Sequence, residues 1–300
     1  MLNPIFESSA RRRMRTDKTP MIWTAWVMAM LLFSVAGLGE FLGQGVRIDQ
    51  MRRSTEWYIW LTAMQLALVV LVSPALSAVS ISGERERQTF DLLLSTGIGT
   101  RKIIMGKLTE NFAFLALLIA SGAPVMLLAY VTGGVPVWQL MATLVWLLMI
   151  ALEALAVGMF VSVLCRRTLT SIITAYLAIA ALGAASWVLA KHGPFAAAYT
   201  YKSLAALETM STGSILRGMP IPIFFNPAVG MVTLLAHQTG VLHNTMQNTL
   251  RLFDIYTAAK AAGFGAVSLA CFAASLMSTA ALVALSMLAL HIQTGAAKRR

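Results

Sequence analysis

The chain is laid down in long apolar runs parted by short polar ones. Six runs, near 21–43, 57–81, 108–132, 138–164, 169–190 and 262–291, can each cross a ~30 Å hydrocarbon core, which takes about 20 residues of helix. Between the second and third, residues 82–107 read "SGERERQTFDLLLSTGIGTRKIIMGK" and gather eight of the chain's 35 charged side chains. The first run carries Ser34-Val35-Ala36, which mimics a signal-peptide cleavage site. Its apolar stretch from Met21 is too long for such a peptide, and Trp23 and Trp26 suit interfacial anchors, so it reads as a retained span.

The other connections differ in kind. "TGGVP" (132–136) is a tight turn punctuated by Gly and Pro. Residues 191–261 are too many and too apolar for a loose loop. Within them 195–210 reads as a short helix. The stretch "PIPIFFNPAVGMVTLLAHQTG" (220–240) reads as a segment that dips into the outer leaflet and returns, because Pro220, Pro222 and Pro227 interrupt a spanning helix. No internal repeat or low-complexity segment is visible. The expected fold is an all-α integral membrane protein, one transmembrane domain over 1–300. It has a cytoplasmic lead-in at 1–20, six transmembrane helices, a cytoplasmic segment at 82–107 and an external re-entrant helical segment at 191–261.

Composition agrees. Hydrophobic residues are 58% of the chain, charged residues 12%, and mean hydropathy is +0.75; a soluble domain carries about 25% charged residues. The solvent for such a surface is lipid. A net charge of +11 would point to nucleic acid in a soluble protein. Here fifteen of the 23 Lys and Arg cluster at 11–18, 82–107, 166–167 and 298–300. The remaining eight are spread over the longer segments 44–56, 133–137 and 191–261. That asymmetry is a topology signal. With an even number of spans it places both termini in the cytoplasm, in an inner (plasma) membrane, and no nucleic-acid partner is expected. The "RRRMR" of the lead-in suits anionic lipid, at ~1 kcal/mol per basic residue, with Ile5 and Met14 resting on the bilayer. Cys165 and Cys271 lack metal-ligand spacing and read as small packing residues.

Several chemistries are missing. The phosphate-cradling G-x-x-x-x-G-K-[ST] pattern fails: Gly99 and Gly106-Lys107 are too far apart, and Leu108 stands where the Mg²⁺-binding hydroxyl belongs. There is no H-E-x-x-H, and His192, His237, His243 and His291 are dispersed; no Gly-x-Ser-x-Gly elbow occurs. Catalytic, cofactor-binding and metal-binding residues are therefore not expected. Glu153, in "LLMIALEALAVGM", is the one acidic residue deep in a span. A charge there costs roughly 2.5–3.5 kcal/mol, so it faces a partner or a watery path. It lines a conduit or subunit interface, or it is a protonated carboxyl bonded to a neighbouring helix.

The 82–107 segment reads as two short helices around a turn. In "GERERQTFDLLLS" Phe90, Leu93 and Leu94 form an apolar stripe, and Glu84, Arg87 and Asp91 fall on a charged face spaced for i,i+3 and i,i+4 pairs. "TGIGT" breaks the helix and "TRKIIMGK" restarts it. Arg101, Lys102 and Lys107 read as topology signals.

These residues resemble the cytoplasmic connection of permease subunits of the type-2 ABC exporter family, where an "ERExGTLxLLLxTPLSxxxIxxGK"-like run precedes the third of six spans. Here Gln88-Thr89-Phe90 replaces the usual Gly-Thr-Leu, and Gly97-Ile98-Gly99 the usual Pro-Leu-Ser. "NPIFESSARRRMRTDKT" is similar to the family's amphipathic lead-in, and Asn226-Pro227 fits its extended fifth-to-sixth segment. The resemblance implies a separate ABC ATPase subunit, which holds the ATP and Mg²⁺, and a second permease subunit as a homo- or heterodimer partner. The 84–95 helix would enter a groove on the ATPase. Glu84, Arg85, Glu86 and Arg87 would make the polar contacts, and Phe90, Leu93 and Leu94 would pack against the ATPase or the chain's own spans. Arg166 and Arg167 would add a smaller contact. With few polar residues in the spans, an amphiphilic or lipid-like cargo, peptide or drug suits the chain better than a small ion. The rival expectations are an ion-gradient-driven carrier using Glu153 and a non-transporting membrane scaffold for an ATPase.

Overall fold

The computed structural model describes residues 18–42, 49–95, 98–131, 135–192, 212, 219, 221–239, 250 and 256–297. The elements are α1 (Lys18–Leu42), α2 (Asp49–Glu86), α3 (Phe90–Ser95), α4 (Thr100–Val131), α5 (Val137–Leu164), α6 (Thr168–His192), α7 (Ile221–Phe224), α8 (Pro227–Thr239), α9 (Tyr256–Ala262) and α10 (Phe264–Ala297). No strand occurs among the described residues. Five stretches are long and apolar enough to cross a membrane: Ser54–Glu86, Thr100–Leu128, Val137–Leu164, Thr168–Leu189 and Phe264–Thr294. The helix α1 lies over the first predicted run, with a shorter described apolar stretch, Met21–Val35. The lead-in at 1–17 and the helix expected at 195–210 lie outside the described residues.

The axis of the bundle is α5, of whose residues 18 are buried. It packs against α2, α4, α6, α8 and α10. Small residues permit this, since close backbone approach is what drives helices together in lipid. At Gly158 an added Cβ would come within 2.0 Å of Ser77 Oγ and 2.9 Å of the Pro74 carbonyl oxygen. By contrast α6 presents Leu169, Ile173, Leu177, Leu182, Val188 and Leu189 outward.

Hydroxyls of α2 itself and of neighbouring helices bond to the backbone of α2, which Pro74 has already interrupted. Ser77 Oγ donates to the Ser73 carbonyl at 3.2 Å. Ser162 of α5 accepts from Ile81 N at 2.9 Å and Ser82 N at 3.0 Å. Ser171 of α6 donates to the Ala78 carbonyl at 2.8 Å, and the Tyr176 hydroxyl donates to the Leu71 carbonyl. These bonds satisfy backbone groups that have no water to turn to in a membrane, and they join α2 to α5 and α6.

At the far end of the bundle the proline-broken segment folds as α7 and α8. Asn226 Oδ1 accepts from Ala228 N at 3.0 Å, so Asn226 caps α8 and Pro227 takes its first position, where no N–H is required. The cap is held from α6, because Asn226 Nδ2 donates to Ser186 Oγ at 2.8 Å. Val229, Met231, Leu235 and Ala236 of α8 are buried, and the helix packs on α5 and α10.

Candidate functional site

The charged segment does not form one helix over 84–95. The helix α2 runs through Glu86 and stops, and α3 begins at Phe90. The stop is a two-bond C-terminal lock. Gln88 N donates to the Arg85 carbonyl at 3.0 Å and Thr89 N to the Glu84 carbonyl at 2.9 Å. That geometry requires a left-handed residue, and Gln88 supplies it with φ of 58°. It stands where the resembling family carries Gly. Because the chain turns there, residues 84–87 and Asp91 do not share one continuous helix; Glu84 pairs with another helix, and the side chain of Asp91 lies outside the described residues.

Three consecutive residues reach different helices. Glu84 Oε1 pairs with Lys107 Nζ of α4 at 2.6 Å, a structural contact that reading Lys107 as a topology signal did not include. Arg85 Nη1 donates to the Val163 carbonyl at 2.8 Å, in the last turn of α5, where helix carbonyls lack partners and a cation is favoured. Its Nη2 donates to Gln293 Oε1 of α10 at 2.5 Å, and its guanidinium lies 5.1 Å from the centre of the Phe90 ring. Glu86 Oε2 accepts from Thr168 N at 2.9 Å and from the Thr168 hydroxyl, placing an anion at the start of α6. One turn of α2 therefore holds α4, α5, α6 and α10.

Phe90 is buried beside Ile81, Ile104, Leu108, Leu155, Met159, Val163 and Leu290, so it packs against the chain's own spans. The side chains of Leu93 and Leu94 lie outside the described residues. On the outer surface are Arg87, Gln88, Thr89, Ser95, Arg166 and Arg167, all exposed, and Leu92, an apolar side chain 75% exposed. Leu92 lies off the apolar stripe read from the sequence and is exposed in the structure.

Glu153 is buried, 8% exposed, a little past the middle of α5. Ser278 Oγ of α10 donates to its Oε1 at 2.9 Å, the neighbouring-helix bond expected of it. Ser275 sits beside the same carboxyl at a geometry short of a hydrogen bond, and Oε2 has no partner among the described residues. Glu153 also lines a cavity of about 460 Å³ between α2, α5 and α6, roofed by residues 225–228. Glu153 therefore both bonds to a neighbouring helix and lines a cavity.

A second polar cluster escaped the sequence reading. The Tyr58 hydroxyl lies 2.6 Å from Thr143 Oγ1, and each donates to Gln238 Oε1, at 3.3 Å and 3.1 Å. Gln139 and Gln238 clasp each other, each side-chain amide donating to the other's backbone carbonyl, at 2.9 Å and 3.0 Å. All four residues are buried, and together they fasten α8 to α2 and α5. The signal was faint: two amides, more than 90 residues apart, in apolar surroundings.

The architecture is that of a multi-pass helical membrane component. Residues 47–294 match the family described as "ABC-2 family transporter protein", and the chain belongs to that family. It is thus a membrane permease of an ABC transporter, a class that works with an ABC ATPase subunit. Among curated proteins none matches the chain.

Proposed function

We propose that the chain is one permease half of an ATP-driven exporter. It has six spans with both termini cytoplasmic, pairs with a second permease, and takes its energy from ATP and Mg²⁺ bound on two separate ATPase subunits. The observation that carries this reading is the division of labour in 84–95. Glu84, Arg85, Glu86 and Phe90 are engaged with the chain's own helices, Glu86 at the exposed start of α6, while Arg87 and Leu92 face outward. A partner that grips Leu92 in an apolar groove, with acidic groups near Arg87 and Arg166, pulls on the whole bundle rather than on a loop. Glu84, Arg85, Glu86 and Phe90 transmit the pull; Arg87, Leu92, Arg166 and Arg167 make the contact.

The test is co-purification from the native host in mild detergent. Wild-type chain brings down an ATPase, and Leu92→Asp loses it while remaining monodisperse. Glu84→Ala/Glu86→Ala/Phe90→Ala, which cuts the anchors, lowers ATP-driven export by a larger factor than it lowers ATPase recovery. If no ATPase accompanies wild-type chain, the ion-driven carrier takes the place of this reading. If Leu92→Asp keeps the ATPase in full, the contact lies elsewhere. An ATPase that binds while no cargo moves would favour the scaffold.

A further inference from the structure

The cavity beside Glu153 is built as a binding site. Its volume of about 460 Å³ lies within the roughly 300–1,000 Å³ typical of small-molecule pockets. Its walls are apolar side chains, including Leu66, Val70, Ile150 and Trp187. Leu182, Ala184 and Phe225 among its lining residues are exposed, so it opens on the outer face of the bundle, where lipid lies. Two polar side chains line it. Asn226 is engaged, its oxygen with Ala228 N and its nitrogen with Ser186. Glu153 is more than nine-tenths buried, and its Oε2 has no hydrogen-bond partner among the described residues.

A buried acceptor without a donor is unfavourable, and a charge-assisted bond to it is about twice as strong as a neutral one. The pocket therefore asks for a donor carried on an apolar body. We propose that it binds an amphiphilic amine, with the ammonium group on Glu153 Oε2 and the hydrocarbon along α2 and α6. That the bound amine is exported cargo rests on the exporter reading; the binding itself does not. Gly183 provides an independent handle. It lines the cavity and a Cβ added there meets nothing within 4 Å, so a large side chain at 183 grows into open space.

The experiment uses full-length chain in nanodiscs without ATPase or nucleotide, and a diazirine-bearing alkylamine as the probe. Photo-adducts are mapped by peptide mass spectrometry. Saturable labelling is expected at 179–187 and 225–228, displaced by decylamine about tenfold more effectively than by decanol. Glu153→Gln, which retains an acceptor for Ser278, and Gly183→Phe, which leaves the carboxyl in place, should each lower labelling about fivefold or more. Equal displacement by amine and alcohol would mean a groove filled by any lipid and would overturn the proposal. So would full labelling of Glu153→Gln, or of Gly183→Phe. Labelling as expected in a chain that recruits no ATPase would leave the site standing and sink the exporter reading. Recruitment of the ATPase without labelling would do the reverse.

Discussion

Gln88 holds a left-handed backbone that costs a residue with a side chain roughly 1–2 kcal/mol. Glycine removes that strain and adds about 0.5–1 kcal/mol of lost chain entropy. Gln88→Gly should therefore leave stability unchanged or raise it by up to about 1 kcal/mol, read as a higher melting midpoint in detergent. A lower midpoint would mean the Gln88 side chain does something beyond filling the turn. Gln238 gives the opposite sign. Leucine there removes the acceptor shared by Tyr58 and Thr143 and the donor to the Gln139 carbonyl, and leaves only the bond from Gln139 to the backbone carbonyl of residue 238, so Gln238→Leu should cost roughly 1–3 kcal/mol. A melting midpoint equal to wild type would show the clasp to be dispensable. At this scale the sequence located the site without resolving it. The charges of "GERER" were visible, but spacing rules for pairs on one helix hold only while the helix continues. Nothing in the letters Gln-Thr-Phe announced that it stops at 86. Glu153, a lone acid in an apolar run, was legible as a group in need of a partner; its cavity was not, because the cavity is made by side chains of three helices and of residues 225–228.

Helices were the most legible elements, since lipid leaves an exposed backbone no alternative to internal hydrogen bonding. What the runs could not say is which helix each would face. The burial of α5 and the exposure of α6 arise from sequences of similar hydropathy, 2.4 and 2.0. Small residues alone do not separate them, since α6 is the richer in Gly, Ala and Ser; what counts is where such a residue meets a neighbour, as Gly158 does, and that is set by the tertiary structure. The paired glycines offer a matched comparison. Gly158→Ala forces a methyl into Ser77 Oγ and the Pro74 carbonyl, and should cost about 1–3 kcal/mol by overpacking. Gly183→Ala meets nothing, and should gain up to about 1 kcal/mol from helix propensity. Thermal midpoints of the two variants in one detergent decide the matter; similar shifts would mean that α2 and α5 do not approach as closely as described. The proline-broken segment shows the same limit. Pro220, Pro222 and Pro227 marked the segment as broken, but the start of α8 at Pro227 and its burial against α5 and α10 depend on partners far away in the chain.

Over the whole molecule the charge asymmetry and the elbow bear on one question, which side of the membrane the ATPase would meet. The exposed residues flanking the anchored turn, Arg87 and Arg166-Arg167, belong to the basic-rich group of connections. Basic residues are retained on the cytoplasmic side because moving them across costs more than moving neutral loops, and that is the side on which ATP is available to a partner. The two arguments use different properties of the same residues, their charge during insertion and their exposure in the folded bundle. Both therefore predict that position 88 is cytoplasmic and position 205 external. In a Cys165→Ser/Cys271→Ser background, Gln88→Cys should resist a membrane-impermeant maleimide applied to intact cells and react once the membrane is opened. Ala205→Cys should react in both cases. Gln88 is neutral and exposed, so its replacement alters neither the charge count nor the anchors on which the arrangement depends. Labelling of both positions from the outside would remove the cytoplasmic placement of the elbow and, with it, the physical route by which an ATPase could reach Leu92.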